Sequence, residues 1–279
     1  MKFFKLTTLT ILFILASFSV LSAMGGKPED IPLKASKIKF EDGEYLRIGT
    51  YVSGEKTEES YIVSRIDTNK NRVEVYWQTV NLNRKQKLPG HYTDYNTYRF
   101  TIDLETGSPL SVIYQNPLTD DKGNIRSSDI LSEDKSEIQS DSEYWDGYEL
   151  KKIHSKIPLR KGYPIILHPL TVFYTARFLD ISSPGIAYLC WPQILKQPIP
   201  LSFIFLGRET VKTPAGEIKT IKVHWNVSDP FLAKLMQPYM NESFIWVEDS
   251  PRRLVVKAMN PSAQLILEEV STIKEKNME

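Results

Sequence analysis

The strongest constraint on this chain is a period of two in its apolar residues. Leu46, Ile48, Thr50 and Val52 share one face of an extended segment. Val73, Val75, Trp77 and Thr79 share another, with Glu74, Tyr76 and Gln78 opposite. Tyr98, Phe100 and Ile102 alternate with Arg99, Thr101 and Asp103. Ile221, Val223, Trp225 and Val227 alternate with Thr220, Lys222, His224 and Asn226. Successive strand side chains point to opposite faces, so these segments read as half-buried strands. Between them, residues 67–71, 105–109, 213–216 and 248–251 carry the Asp, Asn, Gly and Pro of turns. Strands joined by short turns run antiparallel. The expected fold is mainly β (a β-rich α+β chain) with curved antiparallel sheets, as a half-barrel or two packed meanders, and two short helices.

The first helix is expected over residues 169–179, where Pro169 suits a first turn and the apolar residues cover nearly the whole circumference. The second is expected over 230–237. Asp229 is its N-cap, Pro230 its first residue, and Leu232, Leu235 and Met236 its sheet-facing side. Residues 116–145 are rich in serine and acid and lack sustained alternation, so they read as a long loop. The resulting division is a signal peptide (1–23), an N-terminal meander (24–115), a polar linker (116–159) and a C-terminal helix plus meander (160–279). A weak echo links the halves. In each, a tryptophan-bearing strand (VEVYWQTV, IKTIKVHWNV) precedes a strand, an acidic turn with proline and another strand.

Composition bears mainly on destination. Lys2 and Lys5 precede a charge-free run, residues 6–22, and then small residues. That order reads as a secretory signal peptide, the alternative being an uncleaved anchor over residues 6–22. Cleavage removes both lysines and turns the net charge of +1 into −1. The chain is therefore expected in the periplasm or cell envelope, and near-neutrality offers no footprint for nucleic acid. The single cysteine, Cys190, makes no internal disulfide and lies among apolar neighbours, as an inert buried thiol would.

Catalytic signals are sparse. His91, His154, His168 and His224 are too far apart in sequence for a helical metal pair, so no metal or cofactor is expected. The chain lacks a Gly-x-Ser-x-Gly elbow, a phosphate loop and a dinucleotide fingerprint, leaving only constellations assembled from distant residues. Asp67, Asn69 and Asn71 imitate a calcium loop, but Arg72 stands where glycine is needed and Gln78 where glutamate is. A hairpin turn is the better reading. No catalytic residue is assigned. The suggestive feature is aromatic: on a curved sheet, Trp77, Trp225 and Trp246 could line a concave apolar groove, the alternative being an ordinary core.

The segments GRETVKTPAGEIKTIKVHW, FIWVEDSPRRLVVKAM and AQLILEEV, within residues 207–270, carry a recognisable pattern. It joins a Gly-basic-Glu strand end, a Pro-Ala-Gly turn and an alternating strand, followed by an aromatic-and-Trp strand, an acidic turn and a closing strand. In this it resembles exported bacterial proteins of the domain of unknown function 3108 family. The resemblance covers roughly residues 160–270 and is looser over 40–115. It implies a β-rich envelope protein with curved sheets and no assigned activity. Gly207, Glu209, Pro214, Gly216 and Pro251 carry the motif and read as architecture. Gly216 is expected to supply a positive φ, Pro251 a turn with Asp249, and Glu209 a solvated ion pair with Arg208 or a turn cap.

The leading functional expectation is an exported, non-catalytic binding or carrier module for an apolar or amphipathic ligand, such as a hydrophobic small molecule or lipid. By loose analogy, such sheets resemble the half-barrels of periplasmic lipoprotein carriers. The alternatives are a scaffold meeting another envelope protein, which an exposed edge at residues 263–271 would favour, and, least supported, an enzyme.

Overall fold

The computed structural model describes residues 31–34, 38–82, 95–117, 124–145, 150–167, 172–190, 197–229, 233–234 and 243–273. The expected signal segment lies outside them. So does most of the expected second helix, of which Ala233 and Lys234 are helical and the Ala233 amide donates to the Asp229 carbonyl at 2.7 Å.

Among the described residues, fifteen strands form one curved sheet that does not close. The first eight are β1 (Glu44–Val52), β2 (Glu55–Asp67), β3 (Arg72–Asn81), β4 (Tyr95–Asp103), β5 (Pro109–Pro117), β6 (Asn124–Leu131), β7 (Glu137–Trp145) and β8 (Leu150–Pro158). The chain then crosses to the far edge with β9 (Ile165–Leu167) and helix α1 (Val172–Thr175), which tightens into a 3-10 turn (Ala176–Phe178). It returns through β10 (Gly185–Cys190), β11 (Ile199–Thr213), β12 (Gly216–Val227), β13 (Phe244–Glu248), β14 (Val255–Met259) and β15 (Gln264–Thr272). The spatial order is β8 to β1 in descending sequence, then β15 down to β9, so β1 and β15 are neighbours in mid-sheet. Among the described residues, the named strands all pair antiparallel except β9 with β10. The two expected meanders are therefore one continuous sheet, and β15 is interior, between β1 and β14, so residues 263–271 are not the exposed edge that would have favoured a scaffold.

The alternation sorts as the sequence indicates. Leu46, Ile62, Trp77, Tyr98 and Phe100 face inward and are buried, and α1 lays Tyr174 and Phe178 into the same cluster. Leu167 of β9 and Cys190 of β10 join it from the far edge, so the sheet curls until β9 approaches β5. A second cluster joins Val172 and Ala176 of the helix to Leu201, Phe203, Val223 and Ile245 of β11–β13. The short helix is thus covered on more than one side, as its apolar circumference requires.

Residues 116–159 depart from the expected linker: β6, β7 and β8 fill most of that stretch. Their inward positions are Ser127, Asp129 and Leu131 on β6 and Ile138, Ser140 and Ser142 on β7, all buried. Four of these six inward side chains are polar, so the apolar/polar contrast that marks a half-buried strand is weak.

Candidate functional site

The inner face has two contrasting ends. At the lower end, where β2 turns into β3 and β4 into β5, the helix is fastened by a buried ion pair. Arg177 donates from Nη1 to Glu44 Oε1 at 2.8 Å and from Nη2 to Glu44 Oε2 at 3.2 Å, with side chains 1% and 2% exposed. Its guanidinium also donates to the Arg252 carbonyl at 3.0 Å and lies 4.7 Å over the Phe40 ring and 5.0 Å over Tyr174. Two buried charges survive together only when paired and hydrogen-bonded, and this bidentate geometry supplies both. Burial opposes the charge on Arg177, but Tyr174 and Glu44 hold its pKa above the usual arginine value. Burial pushes the Tyr174 phenol up to about 12, so it remains a neutral partner for the Ser64 hydroxyl 2.8 Å away. Arg253 completes the clamp, donating to the carbonyls of Arg177 at 3.1 Å and Leu179 at 2.8 Å. The paired arginines after Pro251 thus hold the helix to the sheet.

Between this clamp and the strands, Leu46, Ile48, Ile62, Trp77, Tyr174, Arg177 and Val255 line a cavity of ≈ 10 Å³. That is room for about one water molecule. Trp77 Nε1 and Arg177 Nε are both buried and have no hydrogen-bond partner among the described residues.

Toward the upper end, where β1 turns into β2 at Ser53 and Gly54, the inner face becomes aromatic and then polar. Ring centroids step 6.1 Å from Trp77 to Tyr98 and 4.9 Å from Tyr98 to Tyr114. Trp77 and Tyr98 are buried, whereas Tyr114 is half-buried and donates to Asn96 Oδ1 at 3.3 Å. Above them lie Ser60 and Thr79, whose hydroxyls are 2.9 Å apart, and Glu58. Burial raises the Glu58 carboxyl above the usual carboxylate range, opposed by a hydrogen bond with Thr50. Burial likewise pushes the Tyr98 phenol up, with Tyr114 and Glu58 adding to it.

The polar lining continues sideways onto β6 and β7. Asp129 is wholly buried and accepts from Ser140 Oγ at 2.6 Å. Cys190 faces this region, and burial followed by Asp129 pushes its thiol up, which disfavours the thiolate.

The three tryptophans do not share a groove. Trp77 belongs to the first cluster and half-buried Trp225 packs against the second. Trp246 is paired with Lys222 and Lys257, whereas the inner face at those rungs belongs to Val223, Ile245 and Ala258. It therefore lies on the outer face, with Lys222 Nζ and Lys257 Nζ each 5.0 Å from its ring and Nε1 donating to Glu209. The segment FIWVE is apolar at four consecutive positions, so its sequence could not tell inside from outside.

Glu209 is likewise partnered otherwise than expected. Its neighbour Arg208 pairs with Asp249 at 2.8 Å, while Glu209 receives Trp246 and Lys222. Gly216 has φ +120° beside the Pro214–Ala215 turn. Gly207, at φ +141°, follows a bulge in β11, and the Pro251 carbonyl accepts from the Lys39 amide at 2.8 Å. Asp67 closes a hairpin turn by accepting from the amides of Asn69 and Lys70. His154 pairs with Asp141 on the outer face and His224 packs against Phe244, while His91 and His168 lie outside the described residues.

Sequence reasoning missed the Arg177–Glu44 pair, Glu58 and Asp129. Arg177 could have been suspected as the one charge in an otherwise apolar helical segment. Asp129 and Glu58 left no comparable signal. Among the described residues no three His, Cys, Asp or Glu side chains group as a metal site, and no helix is long and apolar enough to cross a membrane.

No family model matches the chain, and no curated protein matches it. Solved structures give distant likenesses. One is a β-barrel-like protein of domain of unknown function 1849 from Brucella abortus, with TM-score 0.43 and 8% identity over 88% of this chain and 100% of that one. Another is described as an exported protein with a YmcC-like fold, from Bacteroides fragilis, with TM-score 0.33 and 11% identity over 85% and 100%. A third, from Parabacteroides distasonis, is described as a lipoprotein, with TM-score 0.31 and 10% identity over 87% and 100%.

Proposed function

We propose that this is an exported cell-envelope protein, distantly akin to the domain of unknown function 3108 family, that binds rather than catalyses. Its ligand is amphipathic and lies on the upper inner face. The observation that carries this reading is the ladder of rings from Trp77 through Tyr98 to Tyr114, which leaves the apolar core and ends beside Asn96, Thr79 and Glu58. Aromatic faces receive an apolar body, and the hydroxyl, amide and carboxyl groups above them suit a polar head. Trp225, beside the second cluster on β12, and Trp246, on the outer face, have no part in it.

The test is native mass spectrometry of the purified protein, followed by titration with lauric acid and lysophosphatidylcholine. Binding at micromolar concentration that weakens about tenfold in Tyr114→Ala supports the reading. Absence of co-purified ligand, with no binding of either amphiphile at millimolar concentration, defeats it. A second reading, a protein-interaction scaffold, draws support from β8, which among the described residues pairs on one flank only.

A further inference from the structure

The sheet has two edges and they are unlike. β9 is three residues long, is fully buried at Ile166 and Leu167, and lies close to β5. β8 has nine residues, about 30 Å of strand, and among the described residues it pairs only with β7. Its backbone edge is therefore a template for another strand. Its outward side chains are Lys152, His154 and Lys156, with exposures of 78%, 58% and 52%. Each already faces an acid on β7: Lys152 meets Glu143, His154 meets Asp141 and Lys156 meets Glu137, all at 2.9 Å.

We propose that the β8 edge receives an extended acidic segment of another protein, added as a sixteenth strand. β7 shows the pattern such a strand carries: acids at alternate outward positions. Each lysine has three donors on a long stem, so it reaches carboxylates on both flanking strands. A second copy of this chain is the wrong occupant. Antiparallel pairing of two β8 strands about His154 sets Lys152 of one copy against Lys156 of the other, and like charges directly opposite are destabilising. The same lysines that keep copies apart thus select an acidic guest, with main-chain hydrogen bonds giving affinity and charge giving specificity. This interaction is independent of ligand binding on the inner face.

The test uses the full isotope-labelled protein and a blocked nine-residue peptide alternating glutamate and threonine. The expected result is amide shift changes and slowed hydrogen exchange confined to residues 150–158, with affinity falling as salt rises. Lys152→Glu with Lys156→Glu should weaken binding by about tenfold or more while lauric acid binding is unchanged. If that variant does not fold, Lys152→Gln with Lys156→Gln gives the same readout with a smaller loss. Equal binding of a lysine–threonine peptide, shifts elsewhere on the protein, no binding at millimolar peptide, or self-association through β8 would each overturn the proposal.

Discussion

The lower and upper ends of the inner face solve one problem in opposite ways. Both bury charged or polar groups beneath a curved sheet. At the lower end, Glu44 is neutralised by a bidentate arginine that is itself sandwiched by rings and tied to a carbonyl. At the upper end, Glu58 is half-buried with no such counterion among the described residues, and its carboxyl is raised instead. The lower arrangement spends its polar groups on holding the helix. The upper one ties them to one another in neutral pairs, Ser60 with Thr79 and Tyr114 with Asn96.

The contrast is most easily broken at Arg177. Arg177→Met leaves Glu44 buried and unpaired and should cost about 3–5 kcal/mol in urea unfolding, whereas Arg177→Met with Glu44→Met should recover much of it. A small loss in the single variant would mean the lower end is wetter than its burial indicates. Gly107→Ala comes next. Gly107 has φ +66°, and an added Cβ would stand 2.7 Å from Phe178 Cβ. The expected loss is about 1–3 kcal/mol in thermal or urea unfolding, and a neutral result would show that the 3-10 turn is free to shift.

Ser140→Ala sharpens the comparison on the β6–β7 side. It removes a hydroxyl donor to wholly buried Asp129, and about 1.5–3 kcal/mol should be lost in the same assay. Full stability in that variant would mean other partners carry Asp129. The smallest effect belongs to Glu58 and is read against pH. Its folded pKa lies above the unfolded value, so its neutral form suits the folded state and its contribution is intact in acid. Stability should therefore fall as pH rises from about 4.5 through the raised folded value, then level off. Glu58→Gln should flatten that part of the curve, and unchanged pH dependence would move the cause elsewhere.

What the sequence made legible follows from where side chains contrast. β1, β3, β4 and β12 were readable because valine, leucine or an aromatic faces inward while charge faces water. β6 to β8 were not, because Ser127, Asp129, Ser140 and Ser142 are buried yet look like surface. Helix α1 was readable from its apolar circumference, but the partner of Arg177 lies 133 residues away at the start of β1, and no local pattern reports such a distance. Trp246 went astray because both faces of its strand are apolar. Only pairing with Lys222 and Lys257 turns it outward. The aromatic ladder was half legible: Trp77 was named, while Tyr98 and Tyr114 became its neighbours only through register.

The pairing of β1 with β15 also sets an order of events. When the chain is delivered from its amino terminus, β1 keeps one flank open until residues 264–272 arrive some two hundred positions later. Contacts of such long range form slowly, and an open flank is a hazard while it lasts. A chaperone that shields β1, or a protease that clears chains stalled before β15, would act on that interval. Losing β15 would also be costlier than trimming either true edge, because it opens the sheet at its centre.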